Sequence, residues 1–307
     1  MAIRTERATE AGAIRRLGES FGISLAAMNR SPRTVKVYLE ALRLFASFLE
    51  SSGMPTRVAA ITREHVEAFM VRELHRVSPT SAHIRYRAIQ AFFKWAVADG
   101  EIKVSPMVNM SPPTLPEKPV PVIGEEQLAA LLKSCGGKGF EDRRDLAIIR
   151  LLIDTGMRRQ ELTNLRTEDV DLRLRQAVVT GKGSRTRIVA FGHRTAQAID
   201  RYVRVRDRHR LAYEPWLWLG LAGPMTDNGI AQIVRRRAKV AGIGERVNLH
   251  RFRHTFAHEW LAAGGQGEDL MALNGWRSRS MLSRYGQSAA TERALAAHGR
   301  FAPGDRL

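Results

Sequence analysis

The sequence predicts a mainly α-helical protein of two domains, the second of which contains a small antiparallel β-sheet. Apolar residues recur at helical spacing through the first hundred positions. Five prolines between residues 112 and 121 then interrupt this pattern, because a proline-rich stretch cannot form the interior of a helix. Helical patterns resume beyond the prolines and are broken by one β-rich stretch around 176–191. The length of 307 residues is typical of two domains.

Three helices are predicted in the first domain, residues 1–112. The first begins at Ser31-Pro32, because serine is a good N-cap and proline fits the first helical turn. Gly53 marks its end. The second is predicted over 62–76, and the third runs from Ser78-Pro79 to about residue 98.

The second domain, residues 123–307, follows a proline-rich linker over 113–122. Two β-rich runs flank a Gly-Lys-Gly-Ser turn and predict a hairpin over 176–191. The remaining elements are helices, which we predict over 125–133, 142–154, a short stretch around 161–165, 193–210, 227–241, 250–263, 268–274 and 279–285.

Positive charge is present in both domains. Lys and Arg number 49 against 31 Asp and Glu, so the formal net charge is +18 at pH 7, of which residues 1–112 contribute +6 and residues 113–307 contribute +12. This balance favours a nucleic-acid partner, although a basic surface also promotes solubility. Candidate DNA-contact residues lie on predicted helices of both domains: Arg33, Lys36, Arg43, Arg85, Arg87, Lys94, Arg235, Arg236 and Arg237.

Several classes of protein are disfavoured by the sequence. Cys135 is the single cysteine, so an internal disulfide and a cysteine-rich zinc module are excluded. No apolar run approaches the roughly 20 residues needed to cross a bilayer, and the N-terminus lacks the apolar segment of a signal peptide. We therefore expect a soluble, cytoplasmic protein without a membrane partner.

The stretch NLHRFRHTFAHEW, residues 248–260, is rich in histidine and arginine. It fits a metal site, a phosphate clamp or a helix whose polar face meets water. His254 and His258 share a helix face, but the zinc signature HExxH requires a histidine where Ala262 stands. We therefore expect no metal, and we predict structural roles for His254 and His258.

A phosphate clamp is favoured by residues that are far apart in sequence. His250 and Arg253 are three apart and face the same way, so both can donate hydrogen bonds to one phosphate. Arg158, in TGMRRQEL, begins a predicted helix, and Glu161 lies one turn further on, where it can hold the arginine. Lys182 lies between two glycines at the hairpin tip, where it can reach DNA and give up a proton. GKGS does not fit the nucleotide P-loop, so ATP binding is not expected.

Tyr285 is the candidate nucleophile, nine residues after Trp276. A tyrosine hydroxyl has a pKa of about 10 and attacks poorly near neutral pH unless the site stabilises the developing charge. Two arginines on a phosphate supply that stabilisation.

In this order the segments resemble the tyrosine recombinases of the phage-integrase family. The matching pieces are TGMRRQEL, GKGSRTRIV, HRFRHTFA, LNGW and then Tyr285, and the N-terminal helices resemble the DNA-clamping domain of that family. The resemblance implies an N-terminal helical, SAM-like DNA-clamp domain and an α-rich catalytic domain with a small antiparallel sheet.

The resemblance also implies a role for each site residue. Arg158 and Arg253 resemble the arginines that bind the scissile phosphate. Lys182 resembles the general acid that protonates the leaving 5′ oxygen. His250 resembles the acid/base partner of the nucleophile Tyr285.

Two positions complete this set. Trp276 stands where the family more often has histidine; indole can donate a hydrogen bond to phosphate but cannot titrate. Glu161 is the expected support for the first arginine.

The activity implied by the resemblance is site-specific recombination through a 3′-phosphotyrosine intermediate and a Holliday junction, without metal or cofactor. The implied partners are double-stranded DNA sites, three further protomers in a tetramer, and a related recombinase or an accessory DNA-bending protein, which implies association with the nucleoid. Two alternatives remain open at this point: a topoisomerase of type IB, which uses the same side chains to relax supercoils, and a DNA-binding protein without catalysis.

Overall fold

The computed structural model describes residues 13–116, 121–181, 185–244, 247–283, 285–286, 290, 294–295, 298 and 302–306. The chain divides into two compact units, Met1–Lys118 and Pro119–Leu307. The division falls inside the segment 113–122 that the sequence predicts as a linker. Within the described ranges, no helix is long and apolar enough to span a membrane.

The first unit is built of four long helices, α1 Ile14–Ala27, α2 Pro32–Ser51, α3 Arg63–Arg76 and α4 Pro79–Ala98. The three predicted helices are confirmed, with starts within one residue of the predictions. The side chains of Ser31 and Ser78 accept hydrogen bonds from the backbone N–H groups three residues ahead, as expected for N-caps. Aromatic side chains fill the core between the helices: Phe21, Phe45, Phe48, Phe69, Phe92 and Phe93.

Helix α1 is absent from the sequence-based prediction, and its own residues explain why. Its N-cap, Ala13, forms no side-chain capping bond, and Gly18 and Gly22 lower its helix propensity. Both glycines are buried against α2. A Cβ atom at Gly22 would lie 3.2 Å from Leu39, so the glycine permits a close approach of the two helices.

The second unit begins with α5 Glu125–Lys133, α6 Phe140–Thr155 and the short α7 Arg159–Thr163. A three-stranded antiparallel sheet follows, of β1 Val170–Asp171, β2 Gln176–Gly181 and β3 Arg185–Ala190. The predicted hairpin is confirmed as β2 and β3, whereas β1 is too short to be recognised in the sequence. The later helices are α8 His193–Arg206, α9 Asp227–Val240, α10 Leu249–Ala262 and α11 Gly267–Asn274, and residues 279–283 are also helical.

Helix α6 is central to the second unit, where it packs against both α8 and α10. Its apolar residues are fully buried, among them Ile148, Leu151 and Leu152. The mainly helical class with two domains and a small antiparallel sheet is therefore confirmed. Because α6 leads directly to Arg158 and packs against α10, it fixes two of the predicted site segments relative to each other.

Candidate active site

The turn after α6 brings Arg158 close to α10. Gly156 ends the helix in the left-handed region, at φ 52°. A Cβ atom there would lie 3.0 Å from Phe256 and 3.1 Å from the Cα atom of Arg253, so only glycine fits. The carbonyl of Gly156 accepts a hydrogen bond of 3.0 Å from the Arg253 guanidinium. The two predicted phosphate-binding arginines are thus held on adjoining backbone segments.

Arg158 is oriented by Glu161, one turn into α7. Its guanidinium donates to the Glu161 carboxylate at 2.8 Å, and its backbone N–H donates to the same carboxylate at 2.7 Å. The Arg158 side chain is 42% exposed, whereas that of Glu161 is 1% exposed. The carboxylate therefore holds the inner side of Arg158 and leaves the outer side open to solvent.

A third arginine, Arg187 on β3, shares this carboxylate. Its two terminal nitrogens donate to Glu161 at 2.6 and 2.9 Å, and its Nε donates to the Leu273 carbonyl at 2.7 Å. Burial alone would raise the pKa of Glu161, but Arg187 and the Arg158 N–H lower that pKa to about 2. Glu161 is therefore ionised near neutral pH.

Arg187 is a site residue that the sequence-based prediction missed, although the strand contains a signal for it. Residues two apart in a strand face the same way. Arg187 therefore shares a sheet face with Val189, which is buried. An arginine next to a buried residue on the inward face of a strand indicates a buried acidic partner.

Arg253 is almost fully buried, and it carries a charge that the site does not fully balance. It donates to the carbonyls of Gly156 at 3.0 Å and Asn274 at 2.6 Å. Burial, together with the nearby positive charges of Arg158 and Arg187, lowers its pKa to about 10. An incoming phosphate would relieve this repulsion, so the arrangement favours an anion.

A cavity of about 430 Å³ opens between these arginines and the start of α10. Arg158, Arg253 and His250 all line it, so the three residues predicted to bind one phosphate lie around one space. The Asn248 side chain caps α10 by accepting from the N–H groups of His250 and the next residue, at 3.0 and 3.1 Å. The N-terminus of a long helix adds further positive potential for an anion.

Tyr285 is fully buried. Its ring stacks on Trp276, with centroids 4.8 Å apart and planes at 9°. The Arg253 guanidinium also contacts Trp276 and lies 5.5 Å from the centroid of its ring. Trp276 thus connects the predicted nucleophile to the predicted phosphate-binding arginine.

The indole N–H of Trp276 is a buried hydrogen-bond donor. Nε1 is buried, and it has no hydrogen-bond partner within the described part of the chain. A buried donor without a partner is costly in an isolated protein. A phosphate oxygen is an acceptor of the kind that would satisfy it.

His254, for which the sequence predicts a structural role, contacts the candidate nucleophile. Its Nδ1 lies 2.6 Å from the Tyr285 hydroxyl, and its ring lies edge-on to that of His250 at 4.3 Å. The sequence does not indicate this contact, because His254 and Tyr285 are 31 residues apart and no local pattern connects them. His258, one turn further along α10, is buried.

Lys182 lies outside the described residues, as do Gly183 and Ser184. The residue before it, Gly181, borders the site. A Cβ atom at Gly181 would lie 3.1 Å from the Glu161 carboxylate and 3.8 Å from the Arg158 guanidinium. Strand β2 therefore borders the site at its last residue, Gly181.

The candidate DNA-contact residues differ in their accessibility. In the first unit, Arg43 pairs with Glu40, and Arg85 pairs with the fully buried Glu73. The exposed candidates of that unit are Arg33, Lys36, Arg43, Arg87 and Lys94, whereas Arg85 is partly buried.

The three consecutive arginines of α9 have three different positions. Arg235 is exposed and lines the cavity. Arg236 is exposed and pairs with Asp145 at 2.8 Å. Arg237 is buried and bound to Asp145 and Asp142, each at 2.8 Å, so it packs the interior and is not an exposed position of the kind predicted for a DNA contact.

Two family models match the chain. Residues 121–292 match the model of the phage integrase family, and residues 19–101 match the phage integrase N-terminal SAM-like domain. The first match alone covers more than half of the chain.

Curated relatives match over most of their length. The chain is 29% identical over 264 residues to tyrosine recombinase XerC of Oceanobacillus iheyensis, which covers 84% of this chain and 86% of that protein. It is 30% identical over 261 residues to tyrosine recombinase XerC of Corynebacterium efficiens, with 84% and 82% covered.

Solved structures share the fold. The XerH site-specific recombinase in a post-cleavage complex with a palindromic difH substrate has a TM-score of 0.74 at 18% identity, with 89% of this chain and 81% of that chain covered. A lambda integrase dimer bound to a COC′ core site has a TM-score of 0.71 at 14% identity, with 92% and 80% covered. A lambda integrase tetramer bound to a Holliday junction has a TM-score of 0.67 at 14% identity, with 87% and 78% covered.

Proposed function

The chain belongs to the phage integrase family of tyrosine recombinases, enzymes of site-specific DNA recombination, and we propose that it cleaves and rejoins DNA through a 3′-phosphotyrosine at Tyr285. The observation that carries this proposal is the contact chain from Tyr285 through Trp276 to Arg253, which lines the arginine-walled cavity. One buried tyrosine and one anion site thus lie within two side-chain contacts of each other.

The cleavage step exchanges one phosphodiester for another. The Tyr285 oxygen attacks the scissile phosphorus and loses its proton, while the bond from phosphorus to the 5′ oxygen breaks. The leaving 5′ oxygen takes a proton and becomes a hydroxyl. A 5′ hydroxyl of a partner strand then attacks the phosphotyrosine, which forms a new phosphodiester and releases the tyrosine. The bond energy is retained in the phosphotyrosine, so no ATP is consumed.

The arginines stabilise the transition state. Negative charge builds on the two non-bridging phosphate oxygens, and Arg158 and Arg253 are held ready to meet it by the Glu161 carboxylate and by backbone carbonyls. His250 and the Trp276 indole add hydrogen bonds at the same phosphate. These groups supply the charge that a metal ion supplies in other phosphoryl-transfer enzymes, so we propose no metal or cofactor.

We propose Lys182 as the acid that protonates the leaving 5′ oxygen. This assignment is supported by the position of Gly181, the residue before Lys182 in the sequence, against Glu161 and Arg158. It is also supported by the sequence, in which Lys182 stands between two glycines in the GKGS segment that resembles the family motif.

We also propose that four protomers act together on two DNA sites and pass through a Holliday junction. The lambda integrase tetramer bound to a Holliday junction shares the fold, and the net charge of +18 suits a protein that binds DNA along both of its domains.

Covalent trapping tests the proposal. Wild-type protein and Tyr285→Phe are incubated with a nicked library of host genomic DNA, and denaturing gels detect protein bound to DNA. The proposal expects adducts from the wild type alone, attached to one recurring sequence that undergoes strand exchange when two copies are supplied. Adducts scattered over many sequences, with relaxation of supercoils, would instead indicate a topoisomerase. An absence of adducts would indicate a DNA-binding protein without catalysis.

A further inference from the structure

The hydroxyl of Tyr285 has a partner that the sequence does not assign to it. His254 Nδ1 lies 2.6 Å from this oxygen, which is a short hydrogen bond. Tyr285 is 0% exposed and His254 is 5% exposed, so the pair is shielded from bulk water. A nucleophile in this position cannot lose its proton directly to solvent, and a side chain has to receive it.

His254 has the chemistry to receive that proton. A neutral imidazole accepts a hydrogen bond on one nitrogen and carries hydrogen on the other, so Nδ1 accepts from the phenol when Nε2 holds the hydrogen. Imidazole titrates near pH 6.5 and phenol near pH 10. An unperturbed imidazole can therefore accept a proton at a pH where an unperturbed phenol still holds its own, which is the order that a proton transfer during attack requires.

The surrounding residues hold both rings in place. Trp276 stacks on the tyrosine ring with planes at 9°, and the His250 ring contacts the His254 ring edge-on at 4.3 Å. His254 follows Arg253 directly in α10, so the base and the phosphate-binding arginine belong to one rigid helical turn. This arrangement fixes the direction of the Nδ1 lone pair before DNA binds.

We propose that His254 is the general base that takes the proton of Tyr285 during cleavage and returns it during rejoining. The proposal rests on the proposed function. As the bond from Tyr285 Oη to phosphorus forms, the Oη–H bond breaks and the proton moves to Nδ1. The electron pair of the broken phosphorus–oxygen bond leaves with the 5′ oxygen, which Lys182 protonates. His250, which lines the cavity, then serves as a hydrogen-bond donor to phosphate and not as the base.

The test compares His254→Asn with His254→Leu. The amide oxygen of asparagine replaces Nδ1 as a hydrogen-bond acceptor, but it cannot hold the proton, whereas leucine removes both properties. A residue that only positions Tyr285 would therefore be replaced well by asparagine. His258→Asn is the matched control, because it introduces the same amide at another buried position of α10. Thermal melting and DNA affinity are measured for every variant.

The substrate is a duplex of the sequence recovered by covalent trapping, with sulfur in place of the bridging 5′ oxygen. A thiolate leaves without an acid, so this substrate isolates activation of the tyrosine, and Lys182→Ala should regain wild-type cleavage on it. We expect His254→Asn to form the adduct about 10²-fold more slowly than wild type on both substrates, the lower range for loss of a general base.

The dependence of the cleavage rate on pH distinguishes a general base at position 254 from a residue that only supports the structure. The titratable groups in contact with His254 include Tyr285 and His250, and the charged Arg253 precedes it in the same helix. The wild-type rate should level off once His254 is neutral. The His254→Asn rate should keep rising tenfold per pH unit towards the ionisation of the phenol, because the proton is then lost before attack.

The outcomes are distinct. Wild-type rates and an unchanged pH profile for His254→Asn would overturn the inference and leave the proposed function intact. A wild-type protein that forms no adduct would overturn both. If His254→Asn forms the adduct slowly but keeps the wild-type dependence of rate on pH, His254 is only a structural support. This result would also overturn the inference.

Discussion

At the residue scale, Glu161 is the side chain that organises the candidate active site. One buried carboxylate binds the backbone and guanidinium of Arg158 and both terminal nitrogens of Arg187. Without it, two arginines beside the buried Arg253 would repel each other with no compensating charge. The site therefore combines a net positive surface for phosphate with a fixed internal counter-charge.

Stability in acid should depend on Glu161. Its pKa in the folded protein is about 2, below the ordinary value of 4.5, so its contribution is complete above about pH 4.5 and is lost as the pH falls towards 2. A difference of this size corresponds to roughly 3 kcal/mol of unfolding free energy. Urea unfolding between pH 6 and pH 2 should show this loss in wild type and little of it in Glu161→Gln. Glu168→Gln, at an exposed carboxylate, should behave as wild type does.

Arg187 should matter for cleavage although it does not line the 430 Å³ cavity. It links β3 to Glu161 and to the Leu273 carbonyl, so its loss frees Arg158 to adopt other orientations. We expect Arg187→Ala to slow adduct formation about 10²-fold, because misplacing a charged group by about 1 Å has that effect. Arg173→Ala, at an exposed arginine, is the control. Equal rates for the two variants would contradict a positioning role for Arg187.

The contacts of single residues also show the limit of sequence-based prediction. Arg158, His250, Arg253, Trp276 and Tyr285 carry recognisable local motifs, and all five meet in or beside one site. Arg187 and His254 contact partners 26 and 31 residues away. The alternation of the strand indicates that Arg187 faces inward, but no local pattern identifies the partner of either residue.

At the scale of elements, the close approach of α6 and α10 is the contact on which the site depends. It occurs at Gly156, where the backbone is left-handed and a Cβ atom would lie 3.0 Å from Phe256. Helix starts such as Ser31-Pro32 were predictable because capping is local, whereas α1 was not, because its glycines gain their value only from packing on α2. The same distinction applies at Gly156, whose role as a helix end is local and whose packing against α10 is not.

Replacing Gly156 should therefore lower the unfolding free energy by more than the strain of a left-handed backbone alone. Gly156→Ala adds both backbone strain and a clash with α10, and we expect it to lower the unfolding free energy by about 3 kcal/mol. Gly53→Ala is the matched control, because Gly53 is also left-handed, at φ 65°, but has open space around its Cα. Its expected cost is about 1 kcal/mol. Chemical denaturation of both variants measures the difference, and equal losses would refute the packing argument.

At the scale of the whole molecule, charge on both units predicts DNA binding that weakens steeply with salt. If one protomer neutralises about 8 phosphates, its affinity should fall about 10⁴-fold between 50 and 200 mM salt. Fluorescence anisotropy with a labelled duplex gives the slope of log affinity against log salt. A slope near zero would contradict a phosphate-dominated interface.

Neighbouring arginines of α9 provide an internal control for that measurement. Arg235 is exposed beside the cavity, so Arg235→Gln should reduce the slope by about one unit. Arg237 is buried against Asp142 and Asp145, so Arg237→Gln should lower stability and leave the slope unchanged at temperatures where the protein is folded.

The most direct test of the central claim is to identify the residue that carries DNA after cleavage. Trapped adduct is digested with nuclease and trypsin, and the peptides are analysed by mass spectrometry. We predict a nucleotide on Tyr285 in the peptide YGQSAATER, residues 285–293, and no modified peptide from Tyr285→Phe. A nucleotide on another residue, or an adduct that persists in Tyr285→Phe, would contradict the assignment of Tyr285 as the nucleophile of this site.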